Sequence, residues 1–345
     1  METGEEDGIR VLPDYLLVEI LSRLPSTKDA IRTGILSKRW KHLWTSVHTL
    51  IFKHSDDPLT QSRQNPNSMS DFISFVEKAL TQCRQLKLKK FDVYITYDIR
   101  FDSHFNNWIR YAISRSVEEL KFKFWYRGLE AEFLLDQIFF ISSCFRDLTL
   151  EGCILNPTGP IIWKNLRSLC IFNAKLDEDL IENMLSGSPV LETLELGVCY
   201  GYRKIDITSK SVKNLVFSGY SAPEDGYYLD DIIEINAPNI LSLTIRNDLV
   251  LWKLLLLNVS SVVEANLDFE KLGYRETTLD EAEEDMLKGF ILNLHHVKDL
   301  KVGGFCSNVL SRLEVKGFTF PSNMKLPDVT SSSCVDNDLL DLDSW

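Results

Sequence analysis

A six-residue pattern, apolar-x-x-apolar-x-apolar, limits the possible folds of this chain more than any other feature. It occurs nine times, and the first residues of successive units lie 21 to 35 residues apart. The units begin at Leu88, Val117, Phe145, Leu166, Leu191, Val212, Ile240, Val262 and Val297. Self-similarity at such a period is typical of repeat proteins, in which each unit buries its apolar face against its neighbours. The pattern therefore predicts a chain that is built by stacking similar units.

The spacing of the units favours leucine-rich repeats, which have periods of roughly 20–29 residues and contribute one strand each. Seven of the eight steps fit that range. Four apolar stripes at helical spacing predict helices on the opposite side of the strands. The stripes are Phe72, Phe75, Val76 and Leu80; Phe105, Trp108, Ile109 and Ala112; Leu180, Ile181, Met184 and Leu185; and Met286, Leu287, Phe290, Ile291 and Leu294. The predicted fold class is α/β, with a curved solenoid over residues 70–320 whose strands line the concave face.

A compact helical head precedes the repeats. Its first helix is predicted from apolar residues on one helical face, and Pro25 ends it. These residues are Leu16, Leu17, Ile20, Leu21 and Leu24. Ser26 or Thr27 can cap a second helix, and Ser37 can cap a third helix that contains Trp40. Three such short helices bury little surface by themselves, so something else should cover some of their apolar side chains.

The order of residues in this head resembles the plant-type F-box. The matching residues are Leu12-Pro13, Ile20-Leu21, Leu24-Pro25, Ala30, Leu36-Ser37-Lys38-Arg39-Trp40 and Leu43-Trp44. Two later phrases, NNWIRYAISRSVEELKFKF and LSGSPVLETLEL, are similar to plant F-box proteins with leucine-rich repeats, the RNI-like family. The resemblance implies that residues 9–55 form an F-box that docks onto a Skp-family adaptor. That adaptor links it to a cullin scaffold and so to a ubiquitin-conjugating enzyme.

The resemblance also implies which residues face the adaptor. Those expected to form or frame this surface are Leu12, Pro13, Leu16, Ile20, Leu21, Leu24 and Pro25. Periodicity alone favours an ordinary helical cap over the end of the next domain, and the ordered motif reverses that preference in favour of the F-box. The basic run from Lys38 to His42 is interpreted as a solvated helix face rather than as a contact with an acidic partner.

The alternation of side chains along a strand predicts which repeat residues are available to a substrate. The fourth and sixth positions of each unit face the core, so the third and fifth positions face the concave surface. The candidate substrate-facing residues are Lys121, Thr149, Cys170, Glu195, Val216, Thr244, Asn266 and Lys301. Six acidic and three basic residues occupy these two positions over the nine units. Such a mixed strip suits a protein segment better than RNA, which calls for clustered bases and stacking aromatic side chains.

Composition argues against a nucleic-acid or membrane partner. The net charge of −12 does not suit phosphate neutralisation. The longest apolar run is far shorter than the ~20 residues that span a bilayer. Residues 1–8 lack the features of a secretory signal, and the seven cysteines form no C-x-x-C motif. We expect an intracellular protein of the nucleus or cytoplasm with reduced thiols, and a disordered acidic tail over residues 321–345.

No motif for catalysis was found, so the sequence predicts no catalytic, cofactor-binding or metal-binding residue. Cys153 and Cys199 fall at the ninth position of their units, where a thiol can bond the backbone of the turn, and Cys170 is expected to be an exposed structural thiol. The pair His295-His296 is expected to lie at a surface or interface rather than to bind a metal. Glu283 and Glu284 are interpreted as part of a solvated acidic face.

These observations predict a substrate-recognition adaptor of an SCF-type ubiquitin ligase that itself makes no chemical bond. Two alternatives stay open at this stage. One is a hormone-like co-receptor that binds a small molecule in the concave face, which would need basic groups that converge from neighbouring repeats. The other is an interaction scaffold that works without the ligase, which would leave the ordered head unexplained. An independent enzyme is the least favoured reading.

Overall fold

The computed structural model describes residues 8–54, 68–126, 132–220, 232–249, 253–270 and 279–320. The chain divides into two compact units, Met1–Leu169 and Cys170–Trp345. The predicted disordered tail at 321–345 lies outside the described residues.

The first unit begins with the helical head. Its helices are α1 (Gly8–Val11), α2 (Asp14–Ser22), α3 (Thr27–Arg32) and α4 (Trp40–Leu43). The side chain of Ser26 caps α3, because its Oγ accepts a hydrogen bond from the backbone N–H of Asp29 at 3.1 Å. Ser37 contributes its carbonyl instead, which accepts from the N–H of Trp40 at 3.1 Å. The three predicted helices are therefore present, with α1 and two single turns of 3₁₀ helix, Thr33–Ile35 and Trp44–Ser46, in addition.

The remainder of the first unit alternates strands with helices. The strands are β1 (Thr49–Lys53), β2 (Lys90–Thr96), β3 (Glu119–Trp125), β4 (Phe133–Leu134), β5 (Asp147–Glu151) and β6 (Cys153–Ile154). The helices are α5 (Ser68–Gln82), α6 (Asp102–Ser114) and α7 (Gln137–Phe140). Strands β1, β2, β3 and β5 pair in parallel in that order, and β4 pairs with β6. A parallel sheet with helical crossovers is what stacked leucine-rich repeats produce.

The second unit repeats this plan. Strand β7 (Ser168–Phe172) crosses the division at Leu169 and is followed by β8 (Thr193–Cys199), β9 (Lys204–Asp206), β10 (Asn214–Tyr220), β11 (Ile232–Asn236), β12 (Ser242–Leu249), β13 (Lys253–Leu257), β14 (Glu264–Glu270) and β15 (Asp299–Val302). The helices are α8 (Glu178–Gly187), α9 (Leu279–Asn293) and α10 (Gly304–Val315). Strands β8, β10, β12, β14 and β15 form one parallel series, and β9, β11 and β13 form another. This second series has no counterpart in the sequence prediction.

Each of the nine predicted units forms a strand that begins at its third residue. In eight of these units the side chains at the fourth and sixth positions are buried, as Leu120 and Phe122 of β3 illustrate, whereas Leu300 and Val302 of β15 are half-buried. A tenth copy of the pattern, Val47-x-x-Leu50-x-Phe52, was missed because it adjoins the head. All three of its apolar residues are buried. Strand β1 is therefore both the end of the head and the first strand of the sheet, and the predicted α/β fold class is confirmed.

One sequence interpretation is wrong. Glu283 and Glu284, read as a solvated acidic face, are buried near the start of α9. Arg312 of α10 lies 3.1 Å from Glu283, and Lys316, just after α10, lies 2.8 Å from Glu284. Paired carboxylates can be buried where cations of another helix approach them, and sequence spacing alone does not show that approach.

Candidate functional site

An exposed apolar surface lies on the head. Four of the residues assigned to the adaptor surface are exposed, namely Pro13, Leu16, Ile20 and Pro25. Leu16 is 37% exposed and Ile20 is 45% exposed. Leu12 and Leu24 are half-buried, and Leu21 is buried. Leu21 can therefore frame such a surface from beneath but does not itself face outward.

Further apolar side chains on the head extend this surface, and the sequence analysis did not assign them a role. Tyr15 is 70% exposed, Ile35 is 88% exposed and Leu36 is 64% exposed. Ile9 and Val11 in α1 are exposed as well. Two features of the sequence could have identified these residues. Leu36 belongs to the motif that resembles the F-box, and apolar residues also lie on either side of Leu12-Pro13. Exposed apolar clusters of this kind mark interaction surfaces in soluble proteins.

Arg39 fastens the third predicted helix of the head to the start of α2. Its Nε donates to Oδ1 of Asp14 at 2.7 Å, and its Nη2 donates to the carbonyl oxygen of Leu12 at 2.5 Å. Lys38, by contrast, is exposed, as predicted for a solvated helix face.

The opposite side of the head is used internally. Leu17 and Trp44 are buried. The Oγ1 of Thr27 accepts from the N–H of Ile51 in β1 at 2.8 Å, and the Oγ of Ser22 accepts from the N–H of His48 at 3.1 Å. One apolar face of the head is thus covered by the first strand, while the face containing Leu16 stays open.

The predicted substrate-facing residues of the first unit lie side by side. Asp92, Lys121 and Thr149 occupy matching positions on β2, β3 and β5. Lys121 and Thr149 are half-buried. Asp92, which was expected in the exposed strip, is only 2% exposed. Burial raises the pKa of its carboxyl group, although Lys90 at 3.2 Å acts in the opposite direction.

A second row on the same face was missed, because the predicted strip stopped at the fifth position of each unit. Lys53, Tyr94, Lys123 and Glu151 are register partners at the seventh position of the pattern. Lys123 Nζ lies 3.1 Å from Glu151 Oε2. The ammonium groups of Lys53 and Lys123 lie 5.2 and 5.9 Å from the centre of the Tyr94 ring. The signal was present in the sequence, since the alternation continues for two more residues on each strand.

The second unit brings its own predicted residues together. Glu195, Val216, Thr244, Asn266 and Lys301 are successive register partners on β8, β10, β12, β14 and β15. Lys301 is exposed, and the other four are half-buried. Cys170 reaches the same row, because its Sγ lies 3.7 Å from Oε2 of Glu195. Within each unit, alternation alone therefore identified residues that share one surface.

A hydrogen-bonded network fixes the middle of this second surface. Arg246 Nη2 donates to Glu195 Oε1 at 2.5 Å, and Arg246 Nε donates to Ser218 Oγ at 3.3 Å. Asn247 Nδ2 donates to the same hydroxyl oxygen at 2.6 Å. Ser218 and Arg246 occupy seventh positions, which the sequence prediction left out. The network holds a guanidinium and a carboxylate in fixed positions at the surface.

The cysteines at ninth positions are buried structural thiols. Cys153 Sγ donates to the carbonyl oxygen of Glu151 at 3.6 Å, and Cys199 Sγ lies 3.3 Å from the carbonyl oxygens of Ile171 and Gly197. Burial raises the pKa of the Cys199 thiol to about 12, so it is protonated at neutral pH. The prediction that these thiols bond backbone groups is confirmed.

The described residues contain neither a candidate metal cluster nor a helix that could span a membrane. Within the described ranges, no group of three or more His, Cys, Asp or Glu side chains could hold a metal ion. None of the helices in those ranges is both long enough and apolar enough to cross a membrane. His295 and His296 have their rings in edge-to-face contact at 5.6 Å, and His295 Nδ1 lies 2.7 Å from the carbonyl oxygen of Leu292.

Comparison with known proteins gives matches over both parts of the chain. Residues 9–52 match the F-box domain, and residues 78–287 match the family model described as At1g61320/AtMIF1, LRR domain. F-box protein At5g03100 of Arabidopsis thaliana is 32% identical over 324 residues, which cover 92% of this chain and 95% of that protein. Putative F-box protein At1g49610 of the same plant is 32% identical, with 91% and 74% covered. F-box/LRR-repeat protein At5g02910, also of Arabidopsis thaliana, is 29% identical, with 97% and 69% covered.

Proposed function

This chain belongs to the F-box proteins with leucine-rich repeats, and on that premise we propose that it is the substrate-recognition subunit of an SCF-type ubiquitin ligase. The head binds a Skp-family adaptor and, through it, a cullin scaffold. The strand faces of the repeats bind a protein substrate, which is then ubiquitinated and degraded. The chain works in the nucleus or cytoplasm, where such ligases meet their substrates.

The observation that carries this proposal is the open apolar face of the head. Leu16 and Ile20 lie one helical turn apart on α2, and both are exposed although the chain buries apolar residues elsewhere in its head. Burial of such a side chain against a partner contributes roughly 1.5–3 kcal/mol. The salt-bridged pair Glu19 and Arg23, at 3.0 Å, provides a polar border. Apolar anchors within a polar rim are the usual arrangement of a specific protein interface.

In this role the protein makes no covalent bond. Its contribution is to hold the substrate close to a conjugating enzyme that is bound elsewhere on the scaffold. Tethering turns a bimolecular encounter into an event with a high effective concentration of substrate lysine. A non-catalytic role agrees with the cysteines at ninth positions, because buried thiols that stay protonated are poor nucleophiles.

A pull-down of the full chain by a purified Skp-family adaptor tests the proposal. We expect wild-type protein to bind and the variant Leu16→Asp with Ile20→Asp to lose at least about 100-fold in affinity, because two anchors become charged. Val315→Asp is the matched control, since Val315 is an apolar residue at the end of α10 and is 90% exposed. Thermal unfolding of each variant establishes that the head is folded.

Two results would contradict the proposal. One is the absence of adaptor binding by the folded wild-type chain, which would favour the ligase-independent scaffold. The other is equal binding by wild type and the folded double variant, which would place the interface elsewhere. A hormone-like co-receptor has less support, because Arg246, a basic group on the described strands of the second unit, is already paired with Glu195. A specific thermal shift with a hormone panel would favour that alternative.

A further inference from the structure

A basic and aromatic surface lies on the strand face of the first unit, beyond the predicted strip. We call it the Tyr94 surface, and its residues are Lys53, Tyr94, Lys121, Lys123 and Trp125. Lys53 is exposed, and Tyr94, Lys121 and Lys123 are half-buried. Trp125 is 47% exposed. This accessible tryptophan beside Lys123 is not needed to hold the sheet together, because Phe122 and Phe124 supply core contacts of β3.

The strand register sets the dimensions of this surface. Lys53, Tyr94 and Lys123 are partners on β1, β2 and β3. Lys121 lies two residues before Lys123 on β3, and Trp125 lies two residues after it. Neighbouring strands are about 4.8 Å apart and alternate residues about 6.6 Å apart, so the surface measures roughly 10 by 13 Å. That area accommodates about four residues of an extended peptide.

Two of the carboxylates beside the Tyr94 surface are already engaged. Asp92 is buried and pairs with Lys90 at 3.2 Å, and Glu151 is buried and pairs with Lys123 at 3.1 Å. Among the described residues, no carboxylate oxygen lies within 4.0 Å of the ammonium group of Lys53 or Lys121. Within the described part of the chain, these two ammonium groups can therefore accept a carboxylate of a partner, although Asp92 and Asp147 interact electrostatically with Lys121.

The aromatic side chains favour the same kind of ligand. The ammonium groups of Lys53 and Lys123 approach the Tyr94 ring at 5.2 and 5.9 Å, which is within cation–π range. This contact limits the motion of Lys53 and so lowers the entropy lost when it binds an anion. Trp125 adds a flat apolar contact for the backbone or for an apolar side chain of the ligand.

The net charge of −12 does not oppose an acidic ligand at this point. That charge is a sum over the whole chain, 38 Lys and Arg against 50 Asp and Glu. Charges farther away than about 8 Å are largely screened at physiological ionic strength. The local charges of the strand face therefore decide which ligand binds there.

We propose that the Tyr94 surface binds an extended acidic peptide segment, with carboxylates on Lys53 and Lys121 and the peptide backbone across Tyr94 and Trp125. This inference rests on the proposed function, and it names the class of substrate segment that the repeats recognise. The mixed charge of the predicted strip left that class open.

Fluorescence anisotropy with the full chain and no adaptor tests the inference. The probe is a labelled twelve-residue peptide of alternating glutamate and glycine, and the control probe has glutamine in place of glutamate. At low salt we expect the glutamate peptide to bind at least about 10-fold more tightly, with the difference shrinking as salt is raised. Lys53→Gln with Lys121→Gln should remove most of this preference. Lys301→Gln, at an exposed fifth-position lysine of the second unit, should leave it unchanged.

Three results would overturn the inference: equal binding of the two peptides, an equal loss with Lys301→Gln, or displacement of the probe by free glutamate as effectively as by unlabelled peptide. The last result would indicate a site for a small carboxylate. Because the assay contains no adaptor, its outcome is separate from that of the adaptor pull-down. Acidic-peptide binding without adaptor binding would refute the ligase role alone, and the reverse would refute the Tyr94 surface alone.

Discussion

Single residues show how well the alternation of side chains along a strand predicts the surface on the strand face of the repeats. It correctly places Glu195 and Val216 side by side in the second unit. It does not reveal that Asp92 is buried, because burial depends on the long side chains of neighbouring strands. It also says nothing about Gly197, where an added Cβ would lie 2.2 Å from a ring carbon of Phe172. Depth and close approach depend on partners that are distant in sequence.

Gly197→Ala tests this close approach. The Phe172 ring must move to admit the new methyl group, so we expect a loss of about 1–3 kcal/mol in the free energy of unfolding. Gly289→Ala is the control, because its Cβ would meet no atom within 4 Å. Since Gly289 is inside α9, this control should be more stable by about 0.5–1 kcal/mol. Urea unfolding measures both, and an unchanged midpoint for Gly197→Ala would refute the steric argument.

The elements of the repeats were predicted with different success. The nine strands could be predicted from the six-residue pattern, because a strand with one buried face has apolar residues at alternate positions of the sequence. The ion pairs between α9 and the end of α10 could not be predicted in this way. In the sequence, Glu283 and Glu284 belong to an ordinary acidic run, and only the fold places Arg312 and Lys316 beside them. The strands β9, β11 and β13 were also missed, because short apolar runs do not distinguish a strand from a helix.

The pairing of α9 with Lys316 predicts a pH dependence. The hydrogen bond from Lys316 holds the pKa of Glu284 below its ordinary value of 4.5. A carboxyl group with a lowered pKa in the folded state stabilises the protein above its unfolded pKa, and this contribution is lost as pH falls through the folded value. The wild-type advantage over Glu284→Gln should therefore be present at pH 6 and shrink below pH 4.5.

Thermal unfolding of both proteins between pH 6 and pH 3 measures this change. Asp285→Asn is the matched control, because Asp285 is on the same helix with an exposed side chain. Its difference from wild type should be small, because exposed ion pairs contribute little to stability. A Glu284→Gln difference that does not narrow at low pH would exclude the assigned contact.

At the scale of the whole molecule, the predicted boundary between head and repeats is also a shared core. The pattern at Val47, Leu50 and Phe52 was missed because the repeats were counted from residue 88, after the head had been set apart. Strand β1 pairs with β2, while Thr27 of the head bonds its backbone. The exposed adaptor surface, by contrast, could not come from periodicity. It was predicted only from the order of residues that resembles the F-box, because an amphipathic pattern does not show which apolar residues stay exposed.

This shared core predicts different results for two ways of removing the adaptor surface. Deletion of residues 9–45 uncovers β1 and removes the buried Leu17, Leu21 and Trp44. We expect the deletion to lower the free energy of unfolding of the first unit by about 3 kcal/mol or more. Leu16→Asp with Ile20→Asp changes only exposed side chains and should stay within about 0.5 kcal/mol of wild type.

Urea unfolding followed by tryptophan fluorescence distinguishes the two variants. If the deletion unfolded at the wild-type midpoint, the head would be an independent module and the contacts of Thr27 and Ser22 with the chain at β1 would be dispensable. If the double variant were as unstable as the deletion, Leu16 and Ile20 would belong to the core rather than to a docking face. With the expected result, the double variant is the suitable form for capturing substrates, because it abolishes adaptor binding while the strand faces stay folded.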